Sequence, residues 1–172
     1  MENKTLRVGI IGLGRISGIH INGLQNAKDA EIVAVCDIDE VKLKETGDKL
    51  SIPEEYRFTD YHDLINCDIV DAVEICTPNY LHVPMAIDVV NAGKPVNVEK
   101  PLGDVYDNRV PELLEALEKN PQPNMMCLER EAGRSTKPDY FEPAKFNNGR
   151  VFLLHIKIWH VALIQSCVPF SL

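Results

Sequence analysis

The stretch from Leu6 to Leu24 constrains this chain more than any other. The apolar run from Leu6 to Ile11 reads as a buried strand, and it feeds directly into Gly12-x-Gly14-x-x-Ser17. Ile16, Ile19, His20 and Leu24 then fall at helical spacing. A strand, a glycine turn and a helix start, in that order, lift a glycine triplet above a chance pattern. Gly12 suits a tight turn because a residue without Cβ takes φ > 0 without a clash. Gly14 leaves backbone room for a diphosphate, which would face the free N–H groups and positive dipole end of the helix. Gly12, Gly14, Arg15, Ile16 and Ser17 are therefore candidate cofactor contacts. Ser17 holds the position where a small residue lets helix and strand pack closely, a role Gly18 can share.

A second apolar run, Glu31 to Cys36, is long enough for a strand buried on both faces and ends in Asp37-Ile38-Asp39. Asp37 stands near the spacing at which an acid meets the ribose hydroxyls of a dinucleotide. A carboxylate there accepts from a diol and repels a 2′-phosphate, and no basic residue follows until Lys42, which favours NAD over NADP. Either acid would also serve as a helix cap; the ribose role is assigned to Asp37 and the cap to Asp39. The segment from Asp39 to Leu50 has helical composition, with Val41, Leu43 and Leu50 as its apolar contacts, and Pro53 closes it. A short strand at Tyr56–Thr59 and a single helical turn at Asp60–Ile65 follow, so this half reads β-α-β-α-β. His62 on that turn is read as an exposed helix residue rather than a ligand.

The second half opens with a strand at Asp71–Cys76, which runs into Thr77-Pro78-Asn79-Tyr80-Leu81-His82 and a helix over Val83–Ala92 stopped by Gly93. Loops at the carboxyl ends of parallel strands are where ligands collect in open α/β sheets, which makes Thr77, Pro78 and Asn79 candidate contacts. Pro-Asn is equally good turn chemistry. A brief strand at Val96–Val98 presents Glu99 and Lys100 just before Pro101, and the X-Pro step holds Lys100 in extended backbone. A helix over Asp104–Lys119 carries Val110, Leu113, Leu114 and Leu117 on one face, and Met125-Met-Cys127 reads as a last strand.

Composition narrows the class. The chain has 172 residues, 45% hydrophobic and 26% charged, which is the balance of an ordinary globular domain. A net charge of -8 argues against a nucleic-acid partner. The charge is uneven, with 22 acids and 12 bases in residues 1–123 but 4 acids and 6 bases in 124–172. Five cysteines show no ligand spacing and no disulfide framework, so no metal is expected. Met1 to Thr5 is polar and no leader is read there, so a cytoplasmic location is expected.

Taken together, Gly12-Leu-Gly-Arg-Ile-Ser17, Thr77-Pro-Asn-Tyr-Leu-His82 and Glu99-Lys-Pro101 resemble the glucose–fructose oxidoreductase / inositol dehydrogenase (Gfo/Idh/MocA) family of NAD(P)-dependent oxidoreductases. The likeness runs from about residue 5 to 120, and Ala92-Gly-Lys-Pro-Val96 shares it. It implies a Rossmann-type doubly wound parallel sheet at 1–123 and oxidation of a secondary alcohol on a sugar or polyol. It further implies that Lys100 meets the reacting oxygen, where positive charge stabilises alkoxide character. Glu99 would orient the site and touch the cofactor, and His82 would lie on the nicotinamide side. A histidine satisfied by backbone at a helix start is the competing reading of His82.

The family's second α/β domain carries its base, a histidine shortly after an aspartate. No such pair follows here, and neither His155 nor His160 replaces it. Residues 124–172 are accordingly expected to be a remnant of that domain or the product of a deletion or frameshift. Phe152, Leu154, Ile156 and Ile158 would line one strand face, with self-association through an apolar edge. Lys157 and two histidines argue against a membrane span. The alternative is a non-catalytic fragment that holds NAD and reduces nothing. A methyltransferase-like nucleotide domain shares the glycines but gives no reason for Glu99-Lys-Pro101.

Overall fold

The computed structural model describes residues 5–102, 109–121, 124–127 and 151–154. Strand β1 (Leu6–Ile11) leads through the glycine turn into helix α1 (Ser17–Gln25), and β2 (Ala30–Cys36) leads into α2 (Glu40–Leu50). β3 (Arg57–Phe58) and the short α3 (Tyr61–Ile65) complete the first half. The second half runs β4 (Ala72–Ile75), α4 (His82–Asn91), β5 (Val96–Val98), α5 (Val110–Lys119), β6 (Asn124–Cys127) and β7 (Val151–Leu154). The strands form one sheet of order β3-β2-β1-β4-β5-β6-β7, with every pairing parallel. That is a doubly wound Rossmann-type sheet whose order reverses between β1 and β4. The sheet continues past residue 123 through β6 and β7.

Helix starts follow local chemistry. Asp39 caps α2 by accepting from Val41 N and Lys42 N, and Asp60 caps α3 by accepting from His62 N. Gly93, at φ +74, ends α4 in the left-handed conformation. The expected start of α5 at Asp104 lies outside the described residues, and the observed helix begins at Val110 with Pro111 in its first turn. Residues 155–172, with His155, His160, Ile156 and Ile158, also lie outside them.

Two apolar faces differ from the sequence reading. On α1 the buried residues are Ser17, Ile21 and Leu24, while Ile19 is 62% exposed. On α2 Leu43 is buried and Val41 is exposed. The buried residues still keep helical spacing, at 17, 21 and 24 on α1 and at 43 and 47 on α2, so each helix turns a neighbouring stripe to the sheet. Gly18 is exposed and a Cβ there would meet nothing within 4 Å, so the close helix–strand approach belongs to Ser17 alone.

The core fills both faces of the sheet. One side gathers Val8, Ile10, Leu13, Ile21, Leu24 and Leu43 under α1 and α2. The other gathers Leu64, Val73, Ile75, Val83, Val89 and Val98 under α3, α4 and α5. Gly9 of β1 lets α3 press onto the sheet: a Cβ there would lie 2.7 Å from Cδ2 of the fully buried Leu64. Gly9→Ala is expected to cost about 1–3 kcal/mol of stability, the usual range for overpacking a filled core, read as a lower urea midpoint. In a Leu64→Ala background the obstructing tip is gone and the same change costs markedly less. Equal costs in both backgrounds would refute the contact.

Candidate functional site

The carboxyl ends of β1, β2, β4 and β5 meet where the strand order reverses, and the candidate residues gather there. Gly12 is the pivot. Its N–H donates to Cys36 O at 2.8 Å, while Cys76 N donates to Ile11 O at 2.8 Å, so three strand ends close around one turn. Gly12 sits at φ +89, and a Cβ on it would lie 2.9 Å from both C and O of Cys76. Only glycine fits both constraints.

Past Gly12 the loop is pinned and then opens. Leu13 N donates to Asp37 Oδ2 at 2.6 Å, and Asp39 N donates to Asp37 Oδ1 at 2.9 Å. The half-buried Asp37 carboxylate therefore faces the glycine loop from the end of β2, and each oxygen keeps a second lone pair for a hydroxyl. Gly14 and Arg15 are exposed and Ile16 is half-buried. A Cβ on Gly14 would meet nothing within 4 Å. Ser17 is 3% exposed and its Oγ donates to Gly14 O at 2.6 Å, closing the loop onto the helix. The first turn of α1 carries no acid and no side chain caps its start, while Ile19 N donates to Ile16 O at 3.0 Å. These features fit a diphosphate at Gly14–Ser17 with a ribose at Asp37.

On the other side of the crevice, Thr77 follows β4 with its hydroxyl 3.6 Å from Met85 Sδ, and Pro78 and Asn79 are exposed on the turn into α4. His82 corrects the sequence reading. It is 1% exposed, with Nδ1 2.7 Å from Pro101 O and Nε2 2.7 Å from Thr77 O. Each ring nitrogen lies against a backbone carbonyl and the one that carries the proton donates to its own, so His82 sits enclosed between the Thr77 turn and the Pro101 turn. The backbone-satisfied reading holds.

Glu99 also differs from a residue that touches cofactor. It is 7% exposed; Oε1 lies 2.7 Å from His20 Nε2 and Oε2 accepts from Lys100 N at 3.0 Å. Its carboxylate is turned inward and acts through its neighbours. Lys100 is half-buried at the end of β5, and its peptide to Pro101 is cis.

Sequence reasoning missed the centre of this side. His20, placed on α1 by spacing alone, lies between two acids: Nδ1 is 2.6 Å from Glu74 Oε1 and Nε2 is 2.7 Å from Glu99 Oε1. Glu74, on β4, is 6% exposed and also accepts from Asn97 Nδ2 at 2.7 Å. Burial is the largest single influence on the His20 ring and opposes its charge. The hydrogen bonds and charges of Glu74 and Glu99 together outweigh it and push the pKa up to about 9. The signal was present, since Glu74 is a charged residue inside the apolar run Ala72–Ile75, and a buried acid demands a partner. Cys76 Sγ comes within 4.8 Å of the His20 and Glu74 ligand atoms, but both ring nitrogens are already engaged by carboxylates. The set is an ion triad rather than a metal cage.

A glycine turn open to a diphosphate, an acid at the end of β2 and a switch point between β1 and β4 define a dinucleotide-binding Rossmann domain. The chain belongs to the Gfo/Idh/MocA oxidoreductase family, whose NAD-binding Rossmann-fold model matches residues 6–127. It is 40% identical to the inositol 2-dehydrogenase of Salmonella paratyphi B over 117 residues, 67% of this chain and 34% of that one. Among solved structures, apo scyllo-inositol dehydrogenase from Lactobacillus casei superposes with a TM-score of 0.68 at 26% identity, covering 73% of this chain and 37% of that chain. The WlbA dehydrogenase of Bordetella pertussis, in complex with NADH and UDP-GlcNAcA, superposes with a TM-score of 0.65 at 27% identity over 72% of this chain and 37% of that one. The chain thus spans about a third of the length of these relatives. No helix among the described residues is long and apolar enough to cross a membrane.

The two glycines separate fold from binding. Gly12→Ala is expected to destabilise the domain by about 1–3 kcal/mol, through an unfavourable φ and the Cys76 backbone. Gly14→Val, set in open space, is expected to leave the thermal midpoint almost unchanged while abolishing most NADH binding. Comparable destabilisation by both changes would show that the Gly14 space belongs to the fold rather than to a ligand.

Proposed function

We propose that this chain carries the cofactor half of an NAD-dependent dehydrogenase acting on a secondary alcohol of a sugar or polyol. The observation that carries the reading is the open backbone at Gly14, set across from the Asp37 carboxylate. Asp37 is suited to a ribose diol and would repel a 2′-phosphate, which favours NAD over NADP. The amides leading α1 would hold the diphosphate, and Thr77, Pro78 and Asn79 border the opposite wall. NAD, when bound there, supplies the hydride acceptor.

Lys100, at the end of β5, is the cation suited to the oxygen from which a proton departs. Glu99 fixes the Lys100 backbone through its N–H. A base and the alcohol-binding surface would come from residues beyond this domain; the chain spans about a third of the length of the relatives it matches.

Fluorescence titration with NADH and NADPH tests the cofactor reading. NADH is expected to bind more tightly by about tenfold or more, equivalent to about 1.4 kcal/mol. Asp37→Ser narrows that gap; equal affinities in the native chain would overturn the NAD preference, and no binding of either would overturn the reading. Incubation with NAD and a panel of polyols and sugars separates turnover from binding alone. A rate that falls at least about a hundredfold in Lys100→Met supports the role in chemistry.

A further inference from the structure

We infer that His20 is a positioning residue, a charged clasp that couples the diphosphate-binding helix to the Glu99–Lys100 turn on the opposite side of the crevice. The inference rests on the cofactor reading above and deepens it. Three elements meet at this imidazole. It projects from α1, one turn after Ser17; Glu74 approaches from β4, Glu99 from the end of β5, and the Cys76 thiol from the end of β4. The ring side chain is 11% exposed and the two carboxylates 8% and 9%, so the charges interact largely out of water.

Each contact passes load to a functional segment. Glu99 Oε1 bonds the ring while its Oε2 accepts the N–H of Lys100, so the ring's position is transmitted to the backbone of the lysine. Glu74 Oε1 bonds the other nitrogen and is itself held by Asn97 Nδ2 from β5. Two acids on two strands leave the ring one orientation, and α1 one register against the sheet.

Both carboxylates accept from this ring only when both nitrogens carry protons. A neutral ring would release one acid, and a neutral amide in its place would leave two buried carboxylates without a cation between them. Because the ring's pKa in the folded chain stands at about 9, above its ordinary 6.5, the clasp's contribution is fully present below pH 6.5 and is lost as pH rises through about 9. The arrangement therefore holds its geometry across neutral pH and loosens only in alkali.

The test uses the full chain, with NADH titrations from pH 6 to 10 for the native protein, His20→Gln and Glu74→Gln. Native affinity is expected to be flat to about pH 8 and to weaken above it. His20→Gln is expected to bind about tenfold more weakly at neutral pH, the scale of one charge-assisted hydrogen bond, with the alkaline step gone. Glu74→Gln, which keeps the ring and one acid, is expected to move that step to lower pH. His20→Gln binding as the native chain does, with an unchanged profile, overturns the inference. Nitrogen NMR of the His20 ring in the native chain, without cofactor, reads the clasp even where variants fail to fold. A midpoint near 9 supports it, and one near the ordinary 6.5 overturns it. A raised midpoint in a native chain that binds no NADH would instead sink the cofactor reading, and the positioning role with it.

Discussion

The structure depends on how closely β1 approaches β4 at their carboxyl ends. Gly12 turns at φ +89 with the Cys76 backbone where its side chain would stand, and its N–H is bound to Cys36 O. That contact closes the middle of the sheet and ends β1 abruptly. Because the turn is so tight, the next residues leave the sheet at once. Leu13 drops into the core, its N–H goes to Asp37, and Gly14 is left in open space before α1 begins. The crevice at the switch point is thus a consequence of one steric constraint rather than a pocket carved separately.

Much of this was legible because it rests on short-range rules. A glycine that needs φ > 0, an acid that caps α2 at Asp39 and a glycine that ends α4 are local requirements, and the sequence states them directly. The strand order follows from the alternation of strands and helices together with right-handed crossovers. What local rules could not supply was the facing of each helix. Ile19 and Val41 occupy plausible apolar positions yet point to solvent, because the contact stripe is set by the sheet beneath them. Position 14 was legible for another reason: a glycine without a steric demand marks open space beside the turn.

The candidate site was legible in its backbone turns and obscure where its side chains meet each other. Glu99 and His82 both belong to motifs, and motif membership says nothing about direction. Glu99 turns inward to His20 and the Lys100 amide, and His82 spans two backbone carbonyls. Glu74 was the more telling residue. Every residue of β4 is buried, so its carboxylate had to find a cation or a donor, and the chain supplies both, in His20 and Asn97. Pairing across 54 positions of sequence leaves no periodic trace, which is why the histidine passed for a helix residue.

The two histidines then show how partners, rather than burial alone, assign a role. His82 is buried and His20 largely so, and both have each nitrogen at hydrogen-bond distance from oxygen. His82 faces two backbone carbonyls, to one of which a neutral ring donates. His20 faces two carboxylates, whose combined attraction reverses the penalty of burial and makes a cation the stable state at neutral pH. Glu99 is shared between this ring and the Lys100 backbone, since its Oε1 meets His20 Nε2 and its Oε2 accepts the N–H of Lys100. The Glu-Lys-Pro tripeptide thus joins an acid that belongs to the scaffold to a lysine suited to the chemistry, with the histidine of the glycine-turn helix holding the junction in place.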